Sequence, residues 1–267
     1  MNLNKTIVAI ALSAVLFSCT TVPLTGRKQF NAVSDSEVNQ SAAQSYTQLL
    51  SDPKTTVVRG GADAARVKLV GQRLSASIEK YLRANGYGDE YNFNWEFNLI
   101  QSKEINAWCM PGGKVAVYSG ILPVTRTDAG LATVLAHEIG HAIAHHSAER
   151  ISQQMVAQGV GGLLGAASSS SSNGSTVSII NQLYGVGGPL VMLSYSRNQE
   201  SEADRLGLTF MAMAGYDPHE ALSFWERMQQ QNTAGGTPEF LSDHPSDARR
   251  ITDIQARLPE AMKYYKH

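Results

Sequence analysis

Helical and alternating hydrophobic rhythms divide this chain of 267 residues into blocks. Between Asp63 and about Ala84, the residues Val67, Val70, Leu74 and Ile78 recur on one helical face, and Asn85-Gly86 stops the run. Upstream, Ser34 or Asp35 caps a helix through Leu50, with Glu37 three past Ser34 in capping-box spacing. Asn92–Ile100, Ala107–Met110 and Lys114–Tyr118 read as strands, the last two joined by Pro111-Gly112-Gly113. Helical spacing returns between Thr127 and His146 at Leu131, Val134, Leu135, Ile139 and Ala142, and the chain beyond reads as helix. Helices, a small antiparallel sheet, then helices: this order predicts an α+β fold, mainly helical, with one domain over residues 35–267.

The N-terminus has a different texture. Lys5 precedes an apolar run from Ile7 to Phe17, too short to cross a bilayer, so residues 1–18 read as a signal peptide. Leu16-Phe-Ser-Cys19 resembles a bacterial lipobox, although Phe17 fits its position imperfectly; an ordinary signal peptide with a chance cysteine is the plainer alternative. Acylation of Cys19 would anchor the protein to a membrane, with residues 19–34 as an extended tether. Thr20 after the cysteine, by the usual sorting rule, points to the outer membrane and hence to a periplasmic lipoprotein of the bacterial envelope.

Composition narrows the classes. A net charge of −1 and a near-neutral pI give no footprint for nucleic acid. With 43% hydrophobic residues the chain can bury a sizeable core, and no other stretch reaches membrane-spanning length. Cys19 and Cys109 are the two cysteines, so a lipidated Cys19 excludes an intrachain disulfide and leaves Cys109 as small core filler. Residues 159–175 are rich in Gly and Ser: a flexible linker, or a lid beside a cleft.

The chemistry concentrates in His137-Glu138-Ile139-Gly140-His141. Residues four apart share a helix face, so both imidazoles can aim at one metal ion. Glu138, one residue on, is near enough to take a proton from a water activated by that metal, which is the zinc peptidase arrangement. By itself the pattern also fits two solvated histidines on a surface helix, so a third ligand is decisive. His145 would drift too far round a straight helix, and the chain lacks the glycine and third histidine of the metzincin pattern. Glu200-Ser-Glu-Ala-Asp204 supplies a carboxylate from a second helix. Glu200 and Asp204 share a face, while Glu202 lies about 200° away and is expected to face solvent. Glu200 is then the ligand, and Asp204 an acceptor for the free ring N–H of a ligating histidine. Ala203 and Gly207 let this helix pack closely on another.

With these pieces in place, the chain resembles the zinc metallopeptidases that include the CAAX prenyl protease and the heat-shock protease HtpX (metallopeptidase family forty-eight), in a soluble bacterial envelope branch. The matching pieces are Thr25-Gly-Arg27, Asn106-Ala-Trp-Cys-Met-Pro-Gly-Gly113, Tyr118-Ser-Gly-Ile121, the H-E-x-x-H helix, Glu200 to Asp204, and His244-Pro245 with Arg250. Trp108-Cys109 and the long Gly/Ser insert depart from the pattern. The resemblance implies a gluzincin-type domain with one Zn2+ per chain on His137, His141 and Glu200, and Glu138 as base. It implies a zinc endopeptidase acting on protein or peptide substrates, in quality control of misfolded or stalled envelope proteins, with possible envelope assembly partners. The rival is an assembly factor or chaperone lipoprotein that keeps the fold and cleaves little; a purely structural zinc site would need a permanent fourth ligand such as Cys109 or His244.

Relatives of this kind bind an extended peptide along a sheet edge, and Asn106, Ala107 and Trp108 are the candidate edge; a plain hairpin is the alternative. The resemblance also returns His244 to the zinc cleft, to steady the oxyanion or to block the open metal position. It assigns Arg250 to substrate carbonyls or a carboxylate. Tyr195 and Arg197 flank the third-ligand helix as weaker candidates.

Overall fold

The computed structural model describes residues 19–157, 195–235, 237–244 and 249–266. The leader at 1–18, the Gly/Ser stretch at 159–175 and Pro245 lie outside them.

Strands β1 (Cys19–Thr21) and β2 (Lys28–Phe30) pair antiparallel, with Cys19 opposite Phe30. The expected tether is corrected here. Val22 and Val33 are buried in the body, and Thr25 and Arg27 bond to residues 149 and 202, so apolar and ionic anchors offset the entropy lost by ordering the segment. Helix α1 (Asp35–Ser51) is capped by Ser34, whose hydroxyl accepts the Glu37 N–H at 3.2 Å. Helix α2 (Ala62–Ala84) buries Val67, Val70, Leu74 and Ile78 as its periodicity predicts. Its end is closed by Gly86 in the left-handed region and a Tyr87 N–H bond to the Leu82 carbonyl.

The sheet comprises β3 (Val57–Val58), β4 (Glu96–Ile100), β5 (Ala107–Met110) and β6 (Lys114–Tyr118), in the order β3-β4-β6-β5. The β5–β6 hairpin is antiparallel, turning at Gly112 and Gly113 with φ of 76° and 84°. The chain leaves β4, runs to the outer edge as β5 and returns between them as β6, so β4 and β6 are parallel and β5 is an edge strand, with β3 at the other edge. The strand expected from Asn92 begins at Glu96; before it, Tyr91, Phe93 and Trp95 stack in series onto Phe97.

Helix α3 (Leu122–Thr125) leads into α4 (Asp128–Ile143), capped by the Thr127 hydroxyl on the Gly130 N–H. Every residue of α4 from Leu131 to His141 is buried, as an element apolar all round must be. Leu131, Leu135 and Ile139 are fully buried, each contributing on the order of 1.5–3 kcal/mol relative to exposure. The helix expected to reach His146 breaks early: His145 adopts φ 49°, and α5 (His146–Ala157) sets off in a new direction. Then follow α6 (Arg197–Met213), α7 (Glu220–Gly235), α8 (Glu239–Asp243) and α9 (Arg250–Ala261).

The α4–α6 crossing positions the site. A Cβ on Gly140 would meet the Ala203 carbonyl at 3.0 Å, and one on Gly207 would meet the His137 backbone nitrogen at 3.1 Å. Small residues on both helices therefore let their backbones approach, as Ala203 and Gly207 led one to expect. Among the described residues no helix is long and apolar enough to cross a membrane.

Candidate metal centre

Helix α4 carries His137 and His141 on one face. Helix α6 enters beside them, its N-terminus fixed by a capping box between Ser196 and Gln199. One turn in, Glu200 reaches both imidazoles: Oε2 stands 3.4 Å from His137 Nε2, and Oε1 stands 3.4 Å from His141 Nε2. The two histidine Nε2 atoms are 3.1 Å apart. His244, just past α8, brings Nδ1 to 3.0 Å from Glu200 Oε1 and 3.3 Å from His137 Nε2. Ligand-type atoms of His137, His141, Glu200 and His244 all lie within 4.8 Å of one another, and all four residues are buried.

This donor set fits a metal ion. Asp204 Oδ1 lies 2.9 Å from His137 Nδ1 and fixes a proton there, so His137 Nε2 turns a lone pair toward His141 Nε2 and His244 Nδ1. Glu200 Oε2 and Glu138 Oε1 are buried without a hydrogen bond. A cation would satisfy the lone pairs and the carboxylate together, and two imidazoles with a carboxylate suit Zn2+.

The electrostatics follow from burial and from these neighbours. Burial alone would lower the His137 pKa, but Asp204 and Glu200 outweigh it and hold it up at about 9, so in the metal-free chain Nε2 also carries a proton near neutral pH, which a bound cation would displace to reach the lone pair. Burial drives His141 well below the ordinary histidine range. Glu200 is held well below the usual carboxylate range, because His244, His141 and His137 overcome the opposing effect of burial. Glu138 goes the other way: burial raises its pKa, despite His244 and His137 nearby. Its Oε1 stands 3.3 Å from His244 Nε2. Burial also pushes the Cys109 thiol well up, which makes it a poor nucleophile inside the core.

One sequence expectation changes, and Arg250 gains partners that the sequence did not name. Arg250 is buried beside the ligand cluster. Its guanidinium donates to Asp204 Oδ1 at 2.8 Å and lies 3.5 Å over the Trp225 ring. It thereby steadies the carboxylate that orients His137, and Trp225 is a functional neighbour that no spacing announced. Glu202 does not face solvent. It is indeed on the far side of α6 from Glu200, but the Thr25–Arg27 segment and α5 cover that side. His146, Arg27 and Glu149, also missed as site residues, gather there. A single chain gives no signal that a charge at position 27 meets one at 202, and the helix break at His145 that redirects His146 has no glycine or proline to mark it.

Ala107 and Trp108 lie on the edge strand β5 and Asn106 immediately before it, with all three side chains buried, those of Ala107 and Trp108 on opposite faces of the sheet. Trp108 packs edge-on against Tyr46 at 5.8 Å, and Asn106 donates to Asp243 at 3.0 Å. The Phe240 N–H bonds the Ile105 carbonyl just before the strand. Tyr195 stacks on the His141 ring at 4.0 Å; Arg197 opens α6 and is exposed.

A model of peptidase family M48 matches residues 68–258. Mitochondrial metalloendopeptidase OMA1 of Schizosaccharomyces pombe is 34% identical over 242 residues, covering 90% of this chain and 67% of its own length. The protein of that name from Saccharomyces cerevisiae is 36% identical over 179 residues, covering 64% and 49%. The beta-barrel assembly-enhancing protease of Escherichia coli is 27% identical over 205 residues, covering 75% and 41%. The chain thus spans two thirds of the first relative and about half or less of the other two.

These similarities correct the expected location. The relatives at 34% and 36% identity carry mitochondrial names, and the bacterial one matches at 27%, so placement as a periplasmic protein anchored to a bacterial outer membrane is overturned. The leader was a coarse guide: one lysine, a short apolar run and a cysteine are features that unrelated N-terminal segments share.

Proposed function

The chain belongs to peptidase family M48 and is a metalloendopeptidase; from that premise we propose that it holds one Zn2+ on His137, His141 and Glu200 and cleaves misfolded or stalled proteins in quality control. The buried four-residue ligand cluster with Glu138 beside it carries this reading. Bound Zn2+ would supply a Lewis acid that polarises the scissile carbonyl and lowers the pKa of a water.

The remaining work falls to the chain's own side chains. Glu138 takes the proton of the attacking water and delivers it to the leaving amine; its raised pKa makes its carboxylate a better base than an exposed one. Asp204, itself steadied by Arg250, keeps the proton of His137 on Nδ1 and so leaves Nε2 free to ligate. The substrate backbone would add to the β5 edge near Asn106, Ala107 and Trp108. Because those side chains are buried, main-chain bonds give the affinity and selectivity for side chains is low. Casein cleavage is the direct test: a chelator should abolish it and stoichiometric Zn2+ should restore it. Cleavage that persists after the metal has been removed would overturn the reading.

His244 supports a latent enzyme. Its Nδ1 stands among the ligand atoms, in reach of the position a catalytic site keeps open, and neutral imidazole competes well for zinc. His244→Ala should therefore raise basal casein cleavage and self-cleavage at unchanged zinc content. A fall of ~10²-fold would instead assign His244 to the oxyanion. Unchanged activity would exclude both roles.

A further inference from the structure

A continuous line of side chains runs away from the metal-facing atoms, behind His141. His141 Nδ1 lies 2.8 Å from His146 Nδ1, and His146 Nε2 lies 3.0 Å from Glu202 Oε2. Glu202 also accepts from Thr25 Oγ1 at 2.5 Å and from Arg27 Nε at 2.6 Å. The rest of the Arg27 guanidinium grips Glu149 with two bonds of 2.7 and 3.0 Å, and Gln199 donates to the same carboxylate at 2.9 Å. His146, Glu202 and Glu149 are all buried.

With a neutral His146, donor and acceptor capacities allow one arrangement of protons along this line. Arg27 can only donate, and Glu202 accepts from it and from Thr25 as a carboxylate. Glu202 therefore accepts from His146 Nε2–H as well. A neutral His146 then offers the lone pair of Nδ1, and His141 must donate Nδ1–H to it. That leaves the lone pair of His141 on Nε2, the atom that faces His137 and Glu200. On the other ligand, Asp204 does the same for His137.

The helix break is what makes the contact. On an unbroken helix a residue five past His141 would sit about 140° round the axis. The left-handed turn at His145 instead swings His146 back onto His141, while His145 itself pairs outward with Asp35 at 2.8 Å.

We propose that His146, oriented by Glu202 and by Arg27 of the N-terminal segment, is a positioning residue that holds His141 in its ligating tautomer, so that Thr25–Arg27 is part of the metal centre. This rests on His141 being a zinc ligand. The N-terminal segment, on this account, does more than close the fold. It fixes the carboxylate that fixes the histidine that fixes the ligand.

The test uses the full chain and three variants: His146→Leu, His146→Gln and Arg27→Met. Zinc affinity is read by competition with a chromophoric chelator, and thermal melting of the metal-free proteins controls for folding. His146→Leu should weaken zinc binding by ~10–100-fold, as losses of partners behind a ligand do. Gln can accept from His141 and donate to Glu202, so His146→Gln should recover most of that loss. Arg27→Met, at the far end of the line, should weaken binding several-fold without touching a ligand, and it carries the test if His146→Leu fails to fold. Wild-type affinity in His146→Leu or in Arg27→Met overturns the proposal. So does His146→Gln binding as weakly as His146→Leu, which would reduce His146 to packing. A wild-type chain that binds no zinc would show that the metal reading itself had failed, and this proposal with it.

Discussion

Glu138→Gln is expected to keep its zinc and lose its hydrolysis. Glu138 follows His137 on α4 and is not one of the residues of the ligand cluster; its carboxylate faces His244 Nε2 at 3.3 Å, within the same buried space. The amide of Gln has the same shape and nearly the same polarity, so ligands and packing should stay in place. What it cannot do is accept a proton. Loss of a positioned base costs at least ~10²-fold in rate, about 2.7 kcal/mol in the barrier. Burial raises the Glu138 pKa, so the residue stays in proton-transfer range nearer neutrality than an exposed glutamate would. The measurements are zinc stoichiometry by elemental analysis and casein cleavage on the same preparation. A variant that loses its metal would make Glu138 a ligand, and one that retains full activity would exclude it as base.

The parts of this fold legible in sequence are those fixed locally. The buried face of α2, the strands β5 and β6 and the Thr127 start of α4 follow from period, turn residues and a cap, all within a few residues of one another. The α4–α6 contact was legible too, because Ala203 and Gly207 leave no side chain to hold the helices apart. Expectations failed where a distant segment decides the environment. The helical wheel correctly puts Glu202 opposite Glu200, yet opposite is not exposed when residues 25–27 fold over it. Nothing local to Arg250 announces that Trp225 and Asp204 enclose it. His145 carries a left-handed backbone with no glycine to mark it, so the helix break and the redirection of His146 were hidden. In each case the missing information is a long-range pairing, which one sequence does not encode in its local rhythm.

The same helix geometry sets the second large effect, a graded loss of zinc along α6. Glu200→Gln removes the only carboxylate in the ligand cluster and leaves a neutral oxygen among three imidazoles. Zinc affinity should fall by more than ~10²-fold, since the change takes away a direct ligand as well as the charge that balances the ion. Asp204→Asn should cost less, ~10–100-fold, because His137 remains and only the acceptor that fixes its Nδ1 proton is weakened. Glu202→Gln lies a step further out, behind His146, and should cost about as much as Asp204→Asn or less. The outward-facing reading of Glu202 would have given no effect at all. Chelator competition on the three variants separates these outcomes. Equal losses at 200 and 202 would reject the register in which α6 presents one carboxylate to the metal and the other to the N-terminal segment. No loss at 202 would cut the line from Arg27 to His141 at its centre. A loss at 200 no larger than that at 204 would mean that Glu200 does not ligate, and His244, whose Nδ1 stands 3.0 Å from Glu200 Oε1, would then be the third ligand.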